Sequence, residues 1–279
     1  MVLLVMRDAC GVDRQIRQRM PKEPNVQRLV SHPITFFVLS FLLLSVAAYL
    51  GSRLRRVRPM ADDMRDDFGV VQSAALTLLA LVIGFSLSMA VGRYDQRKNL
   101  EEEEANAIGT ELLRADLLPV EQASSIRTLL ARYTDQRIRF YRVDDGDELQ
   151  QINAATNQLQ SQLWSEARAG ASSQPNPLTA LTIAGMNDVI NTQGYTQAAW
   201  WNHIPVSAWA LMVAIGLFCN VLIGYGTRSP NPGRRFLMLM PLIVSISFTL
   251  IADIDSPRNG LIRVKPQNLM ALVSSMPKH

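Results

Sequence analysis

Five small or hydroxyl-bearing residues, Ser73, Thr77, Ala80, Gly84 and Ser88, recur three or four positions apart inside a stretch, 68–92, that holds no Asp, Glu, Lys or Arg. On a helix that spacing lays them along one face. In lipid, such a face lets another helix approach closely. The sharper reading is the wall of a passage, where hydroxyls replace part of an ion's hydration and apolar rings exclude water; from the residues alone, close packing is the favoured one. Just beyond, Arg93 and Arg97 stand one turn apart, placed to collect anions or lipid phosphate, or to anchor the helix at the membrane edge. Glu101-Glu102-Glu103-Glu104 comes next. Consecutive helical positions point around the axis, so these carboxylates do not converge on one ion; the run reads as a solvated turn with Glu104 turned inwards. Asp253-x-Asp255-x-Pro257-x-x-Gly260 closes the last apolar stretch. Asp253 and Asp255 are weak metal candidates. The pattern fits better a pairing with an arginine such as Arg93, Arg97 or Arg258, while Pro257 and Gly260 shape a turn.

Nothing in the chain supports an enzyme. The three histidines, at 32, 203 and 279, have no metal-ligand spacing, and no Gly-x-Ser-x-Gly, phosphate loop or Cys/His pair occurs. No cofactor is implied. Two cysteines, Cys10 and Cys219, cannot build a disulfide framework. The net charge of +4 hides a segregation: residues 93–203 carry ten basic and fifteen acidic side chains, and the excess of positive charge lies beside the apolar stretches. Nucleic acid is therefore not a partner.

Four windows without Asp, Glu, Lys or Arg, at 34–51, 68–92, 189–227 and 236–252, set the architecture. About 18 apolar helical residues suffice to cross a bilayer core. The expectation is an all-α integral membrane protein, multi-pass in a cell membrane such as the bacterial inner membrane. Four transmembrane helices carry a helical extramembrane domain inserted between the second and third spans. The divisions are an N-terminal tail, 1–33; spans 1 and 2, 34–92; the extramembrane domain, 93–203; spans 3 and 4, 204–254; and a C-terminal tail, 255–279. Arginines at 53, 55, 56 and 58 after the first window read as stop-transfer rather than signal cleavage. Short-loop basic residues do not fix the orientation, because both loops and tails are rich in them.

Within the insert, apolar positions recur at helical spacing. Ala105, Ile108, Leu112 and Ala115 form one stripe, ended by Pro119; Ile126, Leu129, Leu130 and Tyr133 a second, ended at 144–147; Leu149, Ile152, Leu159 and Leu163 a third, ended by SSQPNP at 172–177; Leu178, Leu181, Met186, Val189 and Ile190 a fourth. No Gly or Pro intervenes between Arg93 and Gly109, so the second span is expected to continue outward as a single rod. Trp200-Trp201 and Pro205 announce the third span at a headgroup boundary, and Pro241 kinks the fourth.

The stretch Ile83-Gly84-Phe85-Ser86-Leu87-Ser88-Met89-Ala90-Val91-Gly92-Arg93-Tyr94 resembles the second transmembrane helix of bestrophin anion channels, and the order of two spans, insert and two spans is also theirs. A more specific resemblance, over most of 34–272, is to bacterial bestrophin-like membrane proteins. It rests on Arg93-Tyr94-Asp95-Gln96-Arg97, on Glu104, Asn106 and Gly109, on Arg114 and Asp116 before Leu117-Leu118-Pro119, and on Asp253 to Val264 with Pro257 and Gly260. The resemblance implies a homo-oligomeric ion channel, a pentamer by analogy, passing anions such as chloride. Its apolar neck would be formed by Phe85, Leu81 and Thr77, the last polar where the family is bulky. Gly84 and Ser88 would also face the passage. Animal bestrophins place a calcium clasp after the fourth span, but their longer acidic run is absent here. Gly185-Met186-Asn187 matches the tripeptide of bacterial magnesium channels but precedes its apolar span rather than following a pore helix, and is read as a coincidence. The rival expectation is a non-conducting membrane-anchored scaffold or sensor whose insert binds partners.

Overall fold

The computed structural model describes residues 33–227, 234–258 and 260–276. The N-terminal tail up to His32, with Cys10, and most of the basic 228–235 loop lie outside them. Among the described residues there are eight α-helices and no strand. They are α1 (Pro33–Val57), α2 (Arg65–Arg114), α3 (Val120–Arg142), α4 (Gly146–Ser173), α5 (Pro177–Trp201), α6 (Val206–Gly226), α7 (Arg234–Asp255) and α8 (Gln267–Ser275).

Among the described residues, four stretches are long and apolar enough to cross a membrane: α1, the apolar part of α2, the α5–α6 region and Leu237–Asp255 of α7. The second span and the first helix of the insert are one continuous 50-residue helix, α2, about 75 Å long at 1.5 Å per residue. Its apolar half packs with α6 and α7, its polar half with α5 and α8. Two cores follow. Leu44, Leu79, Met212, Cys219, Phe248 and Ile251 pack in the membrane bundle, and Ile108, Ile126, Leu130, Tyr133, Phe140, Leu163 and Trp200 outside it. Tyr94 touches both.

Local chemistry sets the breaks where the spacing put them. Pro119 precedes α3; Asp145 accepts a 2.8 Å hydrogen bond from the Asp147 amide at the start of α4; and Asn176 opens α5 by accepting from the amides of Leu178 and Thr179, with Pro177 at the first helical position. The fourth apolar stripe departs from expectation. Leu178 and Leu181 are exposed, while Thr179 and Thr182 are buried. The Thr179 hydroxyl completes the α5 capping box, and Thr182 Oγ1 donates to the Arg114 carbonyl at 3.1 Å, so the hydroxyls face inwards and the leucines outwards. Trp200 also differs: it is a core residue, edge-on to Phe140 and Tyr141, and only Trp201 faces outwards.

Candidate functional site

Helix α2 has one face committed to its own chain and one left bare. Thr77, Leu81, Gly84, Phe85 and Ser88 all lie on the bare face. Phe85 is 63% exposed and Leu81 52%. A methyl group added at Gly84 or Gly92 would meet nothing within 4 Å. The opposite side, with Leu79, Ser86 and Ala90, is buried against the bundle. Ser73 Oγ donates to the Gly69 carbonyl at 2.8 Å, and Thr77 Oγ1 to the Ser73 carbonyl at 2.9 Å. Their protons are spent on the helix backbone, so these hydroxyls present lone pairs outwards. The bare face continues beyond the membrane through Gln96, Asn99, Glu102, Glu103, Asn106 and Thr110. Glu103 is eighteen positions past Phe85, five turns at about 3.6 residues each, and therefore on the same line.

The two arginines at the membrane edge are engaged by their own chain. Arg93 pairs with Asp255 at 3.2 Å. Asp255 Oδ2 also accepts from the Ile204 amide at 2.9 Å, and the His203 ring lies beside the same residue. One carboxylate thus ties α2, the α5–α6 junction and the end of α7 together. Arg97, 1% exposed, donates to the carbonyls of Ala199 at 3.2 Å and Asn202 at 2.9 Å, closing the C-terminus of α5. Asp253 holds backbone. It accepts from the amides of Leu261 and Ile262 at 2.6 and 3.0 Å, and fixes the turn after Pro257. At Gly260 a methyl group would come within 2.5 Å of the Asp253 carbonyl, which accounts for glycine there. Arg258 lies over the rings of Phe140 and Trp200 and donates to the carbonyls of Phe140 and Val143.

Of the four consecutive glutamates, Glu101 and Glu104 turn inwards and Glu102 and Glu103 outwards. Glu104 is fully buried. It binds Arg137 through both guanidinium nitrogens Nε and Nη2, and accepts from Tyr141 Oη at 3.2 Å and Thr196 Oγ1 at 3.4 Å. Burial and the Glu104 charge push the phenols of Tyr133 and Tyr141 up, so both remain protonated donors. Glu101 accepts from the Leu269 amide at 3.0 Å and from Asn268 Nδ2 at 2.7 Å, capping α8 from the rod. Gly109 gives α8 room, with Leu272 Cδ1 3.2 Å from where a side chain would begin. Asp116 pairs with Arg127, Arg114 lies over Gly185, and Asn106 is exposed. Glu101→Ala should leave the Leu269 amide without its acceptor and loosen α8 by about 1–3 kcal/mol. Hydrogen exchange across 267–275 should rise accordingly; unchanged protection would show that apolar packing alone holds the helix.

A bestrophin-like domain model matches residues 38–269. The chain belongs to the bestrophin-like family. Among solved structures, a bestrophin homologue from Klebsiella pneumoniae is similar with a TM-score of 0.59 at 14% identity, over 88% of this chain and 99% of that one. A single-residue variant of the same homologue gives a TM-score of 0.60 at 12% identity, over 87% and 98%. At that identity the likeness speaks for the fold. No curated protein matches the sequence. Membership in this family makes the chain a membrane protein of a channel-like kind, and places the four-span, helical-insert architecture read from the sequence within a bestrophin-like fold.

Proposed function

We propose that the chain is one subunit of a homo-oligomeric ion channel in a cell membrane, with α2 lining a passage shared between copies. The observation that carries this is the bare α2 face. Thr77, Leu81, Gly84, Phe85 and Ser88 find no cover in their own chain, although they sit in the middle of its longest helix. A single four-span chain encloses no passage, so copies must assemble about an axis. Around such an axis the Phe85 side chains form an apolar constriction, whose electropositive ring edges tolerate an anion and whose walls exclude water. Kinship with bestrophins supports anions such as chloride as the permeant species, and five as the number of copies.

A second reading, passage of cations, is favoured by one observation. Beyond the membrane the same face carries Glu102 and Glu103, both exposed, while Arg93 and Arg97 are tied to Asp255 and to the end of α5. A ring of carboxylates concentrates cations at the mouth.

Liposome flux of chloride and of potassium tests both readings. Phe85→Ala should widen the constriction and raise flux several-fold, whichever ion passes. Glu103→Gln should lower potassium flux if the acidic ring selects. A monomer by mass in detergent removes the shared passage; an oligomer silent to both ions leaves the membrane-anchored scaffold.

A further inference from the structure

The inward stripe of α2 carries Arg97, Glu101, Glu104 and Glu111 at intervals of four, three and seven. The first three are partnered. Glu111 is fully buried, and neither of its carboxyl oxygens has a hydrogen-bond partner. It lies against Gly185 of α5, where a methyl group would come within 2.0 Å of Oε2 and 2.4 Å of Arg114 Nη1. Glu111 and Arg114 therefore occupy the space a side chain at 185 would need, which explains the glycine of Gly185-Met186-Asn187 without any ion-channel signature. The stripe around it is apolar: Ile108 and Ala115 on α2, and Met186 and Val189 on α5, belong to the extramembrane core. Two charged groups act on it, Arg114 one turn further along α2, and Asp188 across on α5, whose carboxylate is 4.0 Å from Arg114 Nη1.

We propose that Glu111 is a proton-operated latch between α2 and α5: neutral, it seats the distal end of the rod against Gly185, and on ionisation the carboxylate leaves the core and that end is freed. A carboxylate without water or a donor is costly to keep charged. Burial pushes the Glu111 pKa up to about 8, with Arg114 pulling it down and Asp188 adding to the rise. The residue stands outside the membrane, about 28 Å past Gly92 at 1.5 Å per residue. Its folded pKa lies above the ordinary carboxylate value, so the packed state holds a proton that the unfolded chain releases. The contact is at full strength below the ordinary carboxylate range. It weakens as pH rises towards about 8, where the proton passes to solvent. Because α2 is one helix from Glu111 to Phe85, the latch alters the support of the span. That last consequence, and only that one, rests on the passage proposed above.

The test uses the purified full chain. Difference infrared spectra from about pH 6 to about pH 9 should show loss of one protonated-carboxyl band, centred near pH 8, that is missing in Glu111→Gln. Asp188→Asn, at an exposed position, should keep the band and move its midpoint down. Hydrogen exchange across 180–190, corrected for its intrinsic pH dependence, should rise over the same range in the wild type and stay flat in Glu111→Gln. No titrating band, or the same band in Glu111→Gln, overturns the latch. In liposomes, ion flux should change over this range in the wild type and not in Glu111→Gln. Absence of flux at every pH counts against the passage alone, since the spectra and the exchange do not require conduction.

Discussion

Arg137→Met should destabilise the extramembrane domain by about 3–5 kcal/mol, the range found when one partner of a buried ion pair is removed. Both members are at 0% exposure, so the stranded Glu104 carboxylate would keep only the hydroxyls of Tyr141 and Thr196. Those two neutral donors cannot replace a guanidinium, because a carboxylate taken out of water needs charge as well as hydrogen bonds. The pair is not itself an economical source of stability. Arg137 Nη1 has no hydrogen-bond partner, and the guanidinium spends part of its charge on the Phe140 ring at 4.3 Å. The double change Glu104→Gln with Arg137→Met should therefore recover most of the loss, as replacements of whole buried pairs generally do. Thermal unfolding of the full chain, followed by the near-ultraviolet signal of Trp200 in its aromatic cluster, would read both. Equal melting of the single variant and the wild type would mean that water reaches Glu104.

The pair has a positional consequence as well. Glu104 on α2 binds α3 through Arg137 and Tyr141, and α5 through Thr196. One turn earlier Glu101 holds α8, and one turn before that Arg97 closes the end of α5. The extramembrane helices are thus pinned to one side of a rod whose other side is bare along its whole length, from Thr77 to Thr110. Such an arrangement keeps one line of α2 free of the chain's own contacts while fixing its rotation about its axis.

The spans, the break points and the continuity of α2 were legible because they depend on local features: apolar run length, Pro119, Asn176-Pro177 and the lack of a breaker after Arg93. The inward polar stripe was not. A pattern that assigns charged residues to solvent places Arg97, Glu101 and Glu111 outside; the Ala199 and Asn202 carbonyls that Arg97 meets, the Leu269 amide that Glu101 accepts from, and the full burial of Glu111 against Gly185 reveal the opposite. A signal existed: these positions keep the four-and-three spacing of Ile108 and Ala115, the apolar members of the same stripe. Leu178 and Leu181 were misplaced for the converse reason. The Thr179 cap and the Thr182 bond to Arg114 turn α5 so that hydroxyls face the rod. Asp253 and Asp255 were both expected to pair with an arginine, and the spacing does not tell the two apart. The arginine contact belongs to Asp255, and Asp253 organises the turn.

Gly224→Ala should prevent the membrane bundle from forming its α1–α6 crossing, at a cost above the 1–3 kcal/mol or so typical of overpacking. The added carbon would lie 1.9 Å from the Ala48 carbonyl oxygen and 2.9 Å from the Ser52 amide nitrogen. On the other helix, a methyl group at Gly51 would lie 2.1 Å from the Val221 carbonyl oxygen. Every obstructing atom is backbone, so no rotamer change relieves the clash and the helices themselves must separate. Lipid offers no hydrophobic force to close that gap, since packing in the membrane rests on close contact between small residues. The fraction of protein that elutes as a single species in mild detergent should collapse for Gly224→Ala and for Gly51→Ala. Gly84→Ala is the informative contrast, because within one chain nothing lies within 4 Å of the new carbon. A protomer in isolation should tolerate it without loss. If Gly84→Ala changes assembly or ion flux while leaving the fold of the chain intact, the atoms it meets belong to a neighbouring copy or to the ion path. If it changes neither, the bare face of α2 meets only lipid, and the shared passage is excluded.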